Sequence, residues 1–152
     1  MITYGTRREA VRSIIISRNR QPFQYGGHDC ATLMMEIASR ITGENVAPWI
    51  AYTSEDEARE LIDDAGGLAE LMMAAFGEPL EDVQGAQVGD PCMANLPGVG
   101  DLCAVVGAPG WLLVAGEVGV ERIPARCLLQ AWSLDGIPEP EAETSEEFEG
   151  AE

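Results

Sequence analysis

The chain has no lysine and only one histidine, His28, among its 152 residues. All nine basic residues are arginines, and they face 26 acidic residues, so the formal net charge is −17. A surface this acidic repels phosphate backbones, and we therefore expect no nucleic-acid partner. Because the sequence holds a single imidazole, any chemistry that needs a histidine base depends on His28.

Long apolar runs are also missing. No segment approaches the roughly 18 to 20 apolar residues of a membrane-spanning helix, so we expect no membrane anchor. Residues 1–5 lack the pattern of a signal peptide. A chain of this length that is 46% hydrophobic can bury one substantial core. We predict one domain over residues 1–136 and an acidic tail over residues 137–152.

The cysteines show no C-x-x-C spacing and no disulfide framework. The chain has four of them, at Cys30, Cys92, Cys103 and Cys127. Such spacing favours reduced thiols in a cytoplasm, and we predict no cofactor and no metal. A four-cysteine metal or iron–sulfur site is the alternative, and the wide separations disfavour it.

Hydrophobic periodicity divides the chain into a helical half and a strand half. Helices are predicted over residues 6–18, with Thr6 as N-cap, and over residues 30–42, 54–64 and 68–76. Short strands joined by Gly and Pro turns are predicted over residues 92–96, 102–106, 111–115, 118–123 and 128–134. This order predicts an α+β fold in which the helices pack on one side of a small antiparallel sheet.

The turn before the second predicted helix presents a cysteine. Gly26 and Gly27 permit a tight turn, Asp29 suits the N-cap position, and Cys30 would be the first helical residue. The helix dipole at this position lowers a thiol pKa and favours a nucleophilic thiolate. A thiolate also needs a base, and His28 is two residues away. The simpler alternative is that Cys30 is a buried apolar side chain.

These motifs, in this order, resemble the NlpC-type cysteine peptidases, which cut peptidoglycan stem peptides. Asp29-Cys30 matches the start of the family's Asp-Cys-Ser-Gly motif, and Gly89-Asp90 matches the Gly-Asp that opens its sheet. The strand over residues 101–107 resembles the one that carries the base, with Asp101 in the place of the histidine. The resemblance implies a papain-like fold whose histidine base is missing. An aspartate is too weak a base, and its charge raises the pKa of a nearby thiol.

A further resemblance is to siphophage tail-tip proteins related to that superfamily. Their motifs appear here as residues 22–30, Thr42-Gly43, Tyr52-Thr53, residues 65–68, Gly89-Asp90 and Ala131-Trp132. The resemblance implies a virion component that is made in the host cytoplasm. It implies partners among other tail-tip proteins of the distal tail or hub type, with homo-oligomers in the tail assembly as one arrangement.

We therefore predict a structural or assembly component of a phage tail tip, built on a degenerate cysteine-peptidase fold that serves as a docking module. Its candidate catalytic residues, Cys30, His28 and Asp101, would be vestigial. One alternative is an active cysteine hydrolase, a peptidoglycan peptidase with Cys30 as nucleophile and His28 as its base. Another is a host-encoded acidic binding domain with no phage role.

Charge is concentrated at both ends of the chain. Five of the nine arginines lie in the first twenty residues, which indicates either the solvated face of a helix or a basic contact surface. Residues 137–152 hold seven glutamates and no basic residue. We expect this tail to be disordered in isolation and to order against a neighbouring subunit, with Phe148 as an anchor. Arginines of another copy's first helix are candidate partners, and a tail that remains solvated is the alternative.

Overall fold

Four helices precede a five-stranded sheet in this computed structural model, which describes residues 2–136. The helices are α1 (Tyr4–Ser17), α2 (Cys30–Thr42), α3 (Glu55–Ala65) and α4 (Leu68–Phe76). The strands are β1 (Pro91–Leu96), β2 (Gly100–Val106), β3 (Trp111–Ala115), β4 (Val120–Pro124) and β5 (Leu128–Ala131). The α+β prediction is confirmed. The predicted tail, residues 137–152, lies outside the described residues.

The sheet is antiparallel throughout and has the order β4-β3-β2-β1-β5. β1 and β2 pair over their full length, from Pro91 opposite Val105 to Leu96 opposite Gly100. β2 and β3, by contrast, pair only at Val105 opposite Leu113 and at the next position. Beyond this short ladder the two strands are not paired, and α2 packs against both of them.

Local signals set the bounds of α2 and α3. α2 begins with a capping box, in which the Asp29 carboxylate accepts from the backbone N–H of Thr32 and the Thr32 hydroxyl accepts from that of Asp29. It ends at Gly43, whose left-handed conformation suits a glycine. Ser54 caps α3, because its hydroxyl accepts from the backbone N–H of Glu57. Both helices were predicted within one residue because these signals are local in sequence.

The start of α1 was predicted wrongly. Thr3, not Thr6, is the N-cap, and its hydroxyl accepts from the backbone N–H of Thr6. The helix therefore begins at Tyr4, one residue after this cap. Two threonines three residues apart both fit the N-cap preference, and the sequence alone does not show which hydroxyl faces the first turn.

The last predicted strand is also shorter than expected. β5 ends at Ala131, and Trp132 is fully buried beyond it. The indole N–H of Trp132 donates to the carbonyl oxygen of Gly77 at 2.8 Å, which ties the end of the sheet to the end of α4. The apolar run over residues 128–134 therefore reflects burial of a short strand and the turn that follows it.

Side chains pack on both faces of the sheet. On the helical side, Ile14, Leu33, Ile37, Met72 and Val105 belong to the larger cluster of buried residues. The other face forms a smaller cluster from alternate strand positions, including Cys92, Ala104, Leu112 and Ile123. This alternation is the period-two pattern expected of strands covered on both faces.

A buried ion pair attaches α1 to the start of the sheet. Arg7 Nη1 lies 2.9 Å from Asp90 Oδ1, and both side chains are fully buried. Asp90 also accepts from the backbone N–H groups of Gln87 and Leu134. The Gly89-Asp90 motif thus joins α1, β1 and residue 134 in one network. Because a buried charge that loses its partner is costly, this network holds α1 in place.

Within residues 2–136, no helix is both long enough and apolar enough to cross a membrane.

Candidate functional site

The turn before α2 is held by the backbone of residue 26 and by Asp29. Gly26 has a φ of +85°, and a Cβ there would lie 2.2 Å from the carbonyl oxygen of Tyr52, so only glycine fits. Its backbone N–H donates to Asp29 Oδ2 at 2.9 Å. The turn and the helix cap therefore share one carboxylate, which fixes where Cys30 begins the helix.

Both oxygens of the Asp29 carboxylate accept hydrogen bonds. It is 3% exposed, and besides Gly26 and Thr32 it accepts from the phenol of Tyr52, at 2.8 and 2.9 Å to its two oxygens. Burial, and then the charge and hydrogen bond of Asp29, raise the pKa of Tyr52 well above its ordinary value. Asp29 and Tyr52 together fix the turn, and Tyr52 remains a protonated donor.

Cys30 is half-buried at the first position of α2. Burial raises the pKa of its thiol, a backbone hydrogen bond from Ala115 on β3 lowers it, and the charge of Asp29 raises it further. The net direction is upward, opposite to the lowering expected from the helix dipole. The desolvation of Cys30 therefore outweighs the effect of the helix dipole on its pKa, and the thiol form is stabilised.

His28 is turned into the protein and is 1% exposed. Its Nδ1 lies 2.9 Å from Nη1 of Arg18, and its Nε2 lies 2.8 Å from the carbonyl oxygen of Gly119. A carbonyl oxygen only accepts and a guanidinium only donates, so Nε2 carries the proton and Nδ1 accepts. Both ring nitrogens are occupied, which leaves none to take a proton from Cys30.

The Arg18 guanidinium forms hydrogen bonds with His28 and with three neighbouring groups. It is 7% exposed, and its Nε donates to Glu36 at 2.7 Å. Its Nη atoms reach His28 and the carbonyl oxygens of Gly27 and Thr32. The expectation of a wholly surface-facing arginine cluster in the first twenty residues is therefore wrong for Arg7 and Arg18. Their burial with carboxylate partners has no local sequence signal, since the partners lie far along the chain.

Asp101 lies near the exposed start of β2. Its Oδ1 accepts from the side-chain amide of Asn95 at 2.8 Å across the β1–β2 pair. The carboxylate whose charge acts on Cys30 is Asp29, not Asp101. Two residues further along the same face of β2 is Cys103. Burial, together with the charges of Cys30 and Asp29, raises the pKa of Cys103 to about 12.

Cys30 therefore interacts electrostatically with Asp29, Tyr52 and Cys103. The side-chain hydrogen bonds of His28 and Asp101 go to other residues. Sequence reasoning did not identify Tyr52 or Cys103 as part of this cluster. For Tyr52 the available signal was its position in a motif shared with the tail-tip proteins, whereas Cys103 stands out only once β2 is placed against α2. All four cysteines are free.

Acidic, cysteine and histidine side chains do not gather into a metal site in the part of the chain that the structure describes. Chemically, the cluster around Cys30 offers a protonated thiol, a protonated phenol and backbone N–H donors at the start of α2. Within residues 2–136, the single imidazole, His28, bonds Arg18 and Gly119 rather than the thiol.

Comparison with known proteins gives a family and a fold. A family model described as "Domain of unknown function (DUF6950)" matches residues 5–134. Among solved structures, the NlpC/p60 domain of the peptidoglycan hydrolase SagA matches with a TM-score of 0.52 and 17% identity. The match covers 82% of this chain and 97% of that domain, and it confirms the NlpC-like fold. Among curated protein sequences, none matches this chain significantly.

Proposed function

The chain belongs to the DUF6950 family, and we propose that it is a structural or assembly component of a phage tail tip that uses an NlpC-like fold for docking. The position of His28 is the observation that supports a non-catalytic role. The only imidazole of the chain has both nitrogens bonded, to Arg18 and to Gly119.

The raised pKa of Cys30 supports the same conclusion. A cysteine nucleophile works as a thiolate, so burial that favours the thiol opposes catalysis. The fold can persist without the chemistry because Asp29, which fixes the turn, bonds backbone and Tyr52 rather than a catalytic partner. The NlpC-like fold alone does not identify the function, because one fold hosts many functions.

The tail-tip assignment rests on the motif resemblance, which spans about residues 7–134. Under this proposal the chain is present in the virion, and its partners are other tail-tip proteins of the distal tail or hub type. Docking uses the exterior of the domain, and Cys30 is dispensable.

Genetic complementation tests the proposal. Removing the gene from the phage that carries it should abolish tail formation in electron micrographs, and a Cys30→Ala copy should restore tails fully. An Asp90→Ala copy is the matched control, because it breaks the buried ion pair with Arg7 and should fail. Normal tails without the gene would contradict the proposal, as would a folded Cys30→Ala protein that does not restore them.

The second candidate function is a cysteine hydrolase that acts on peptidoglycan. One observation favours it: a backbone hydrogen bond from Ala115 to the Cys30 thiol lowers its pKa, although burial outweighs this effect. Incubation of purified peptidoglycan with the wild-type protein and with Cys30→Ala distinguishes the two. Release of stem-peptide fragments by the wild type alone would establish the hydrolase, and we expect none from either.

A further inference from the structure

One surface groove is lined by four arginines that have no carboxylate partner within residues 2–136. It consists of two adjoining cavities of about 720 and 410 Å³. The smaller is lined by α1, β3 and Arg122 of β4, and the larger mainly by residues within 83–88, 106–112 and 125–128. The cavities share Tyr4, Val88 and Trp111 among their lining residues. We call this surface the arginine groove, after Arg8, Arg12, Arg122 and Arg126, which line it.

The charge of the groove is opposite to that of the whole chain. None of the residues lining either cavity is acidic, although the chain has 26 acidic residues. Within residues 2–136, no carboxylate forms an ion pair with any of the four arginines of the groove. Arg7, Arg18 and Arg59, by comparison, each have a carboxylate partner. The groove arginines are thus available to an acidic occupant.

The groove also exposes apolar surface. Tyr4 is 60% exposed, Ile16 is 62% exposed and Trp111 is 38% exposed. The Arg122 guanidinium lies over the Trp111 ring, 4.7 Å from its centroid, so an aromatic and a cationic group face the same space. An occupant that matches this surface carries several negative charges and at least one large apolar side chain.

Residues 137–152 of this chain have that composition. They contain seven glutamates and no basic residue, with Phe148 as their single aromatic. The described part of the chain ends beside the groove, because Asp135 Oδ2 accepts from the side-chain amide of Gln87 at 3.2 Å and Gln87 lines the larger cavity. Sixteen residues span up to about 55 Å when extended.

We propose that the arginine groove binds the acidic segment 137–152 of the same chain, with glutamates against the groove arginines and Phe148 on the apolar floor. Tethering raises the effective concentration of the segment at the groove to the millimolar range, so weak contacts suffice. The proposal does not depend on the phage-tail assignment.

The indole N–H resonance of Trp111 in the ¹⁵N-labelled full-length protein tests this proposal directly. A variant with all seven tail glutamates changed to glutamine keeps the chain length and removes the charge. We expect this variant to shift the Trp111 resonance, and the wild type to shift in the same direction at about 1 M NaCl, where screening acts over about 3 Å. Because the salt titration uses the unmodified chain, it does not depend on any variant folding.

The other two tryptophans serve as internal controls. Trp132 is fully buried, Trp49 is exposed, and neither lines the groove, so both resonances should stay in place. Arg12→Gln should reproduce the shift seen on tail neutralisation. Arg20→Gln is the matched control on another exposed arginine near the end of α1, and it should leave the Trp111 resonance unchanged.

Three outcomes would overturn the proposal. A Trp111 resonance that is unaffected by both tail neutralisation and salt would mean that the segment does not occupy the groove. A shift that grows with protein concentration, together with a dimer mass by light scattering, would assign the groove to the tail of a second copy. Equal shifts from Arg20→Gln and Arg12→Gln would mean that the effect is general electrostatics rather than binding at the groove.

Discussion

Nδ1 of His28 accepts a hydrogen bond from Nη1 of Arg18 at 2.9 Å, in a region where both side chains are buried. Protonation of Nδ1 would remove this bond and place two positive groups in contact. The opposite nitrogen donates to the carbonyl oxygen of Gly119 in the turn between β3 and β4. His28 therefore links α1, the turn before α2 and the sheet, and it does so as a neutral ring.

This role predicts that a neutral amide can replace the imidazole. His28→Gln can keep both bonds, with its carbonyl oxygen accepting from Arg18 and its NH₂ donating to Gly119, so the free energy of unfolding should fall by no more than about 1 kcal/mol. His28→Ala loses both bonds and leaves the buried Arg18 short of an acceptor, which should cost about 2–4 kcal/mol. Urea unfolding of the two variants measures the difference. Equal losses would contradict the pairing.

Tyr52→Phe should destabilise the turn before α2. The change removes one hydrogen bond to the charged Asp29 and keeps the ring, so we expect a loss of about 1.5–3 kcal/mol in the free energy of unfolding. Tyr4→Phe is the matched control, since Tyr4 is 60% exposed and should cost nearly nothing. If the two variants unfold at the same urea concentration, the Tyr52 phenol does not hold Asp29.

Stability should decrease in mildly alkaline solution. Burial raises the pKa of Cys30, Cys92 and Cys103 above the ordinary thiol value, so the unfolded chain loses these protons first. The contribution of these thiols is therefore complete below about pH 8.5 and declines as the pH rises, by up to about 1.4 kcal/mol per pH unit for each thiol.

Urea unfolding under reducing conditions at pH 7, 8, 9 and 10 measures this decline. Cys103→Ala removes one buried thiol, so its stability should fall less steeply with pH than that of the wild type, although it starts lower. Parallel curves for the two proteins would show that Cys103 titrates normally in the folded state.

Whether a new histidine on β2 lowers the pKa of Cys30 should depend on which residue it replaces. The family resemblance places the histidine at Asp101, whereas the side chain of β2 that interacts electrostatically with Cys30 is Cys103. We expect Cys103→His to lower the pKa of Cys30 by placing a titratable partner near it, and Asp101→His to lower it less. Thiol titration by alkylation compares the variants, with circular dichroism to verify folding. A larger effect from Asp101→His would contradict this placement.

The sequence predicted those parts of the fold that depend on residues close together in the chain. Asp29 and Thr32 form a capping box three residues apart, and Gly43 stops the helix, so α2 could be placed from its own residues. The apolar run that ends at the Gly116-Glu117 turn likewise placed β3 correctly at Trp111–Ala115. The N-cap of α1 was nevertheless predicted wrongly, because Thr3 and Thr6 both fit the N-cap preference.

The candidate site was less predictable because its contacts cross the chain. His28 meets Gly119, which is 91 residues away, and Asp29 meets Tyr52 from a loop 23 residues away. Arg18 resembled a surface arginine because nothing near it in sequence shows that it bonds Glu36 and His28. The sequence indicated opposing effects on the pKa of Cys30, a helix dipole that lowers it and a carboxylate charge that raises it. It did not show the burial that dominates, because burial depends on how the sheet packs around the start of α2.

The central claim, that His28 is a structural residue and not the base for Cys30, is tested most directly by alkylation of Cys30. The rate of iodoacetamide labelling at Cys30, followed by peptide mass spectrometry from pH 5 to 10, should give an apparent pKa above the ordinary thiol value of about 8.5. The profile should be the same in His28→Gln. A wild-type thiol that titrates near or below about pH 7, and whose titration returns to the ordinary value in His28→Gln, would contradict the account.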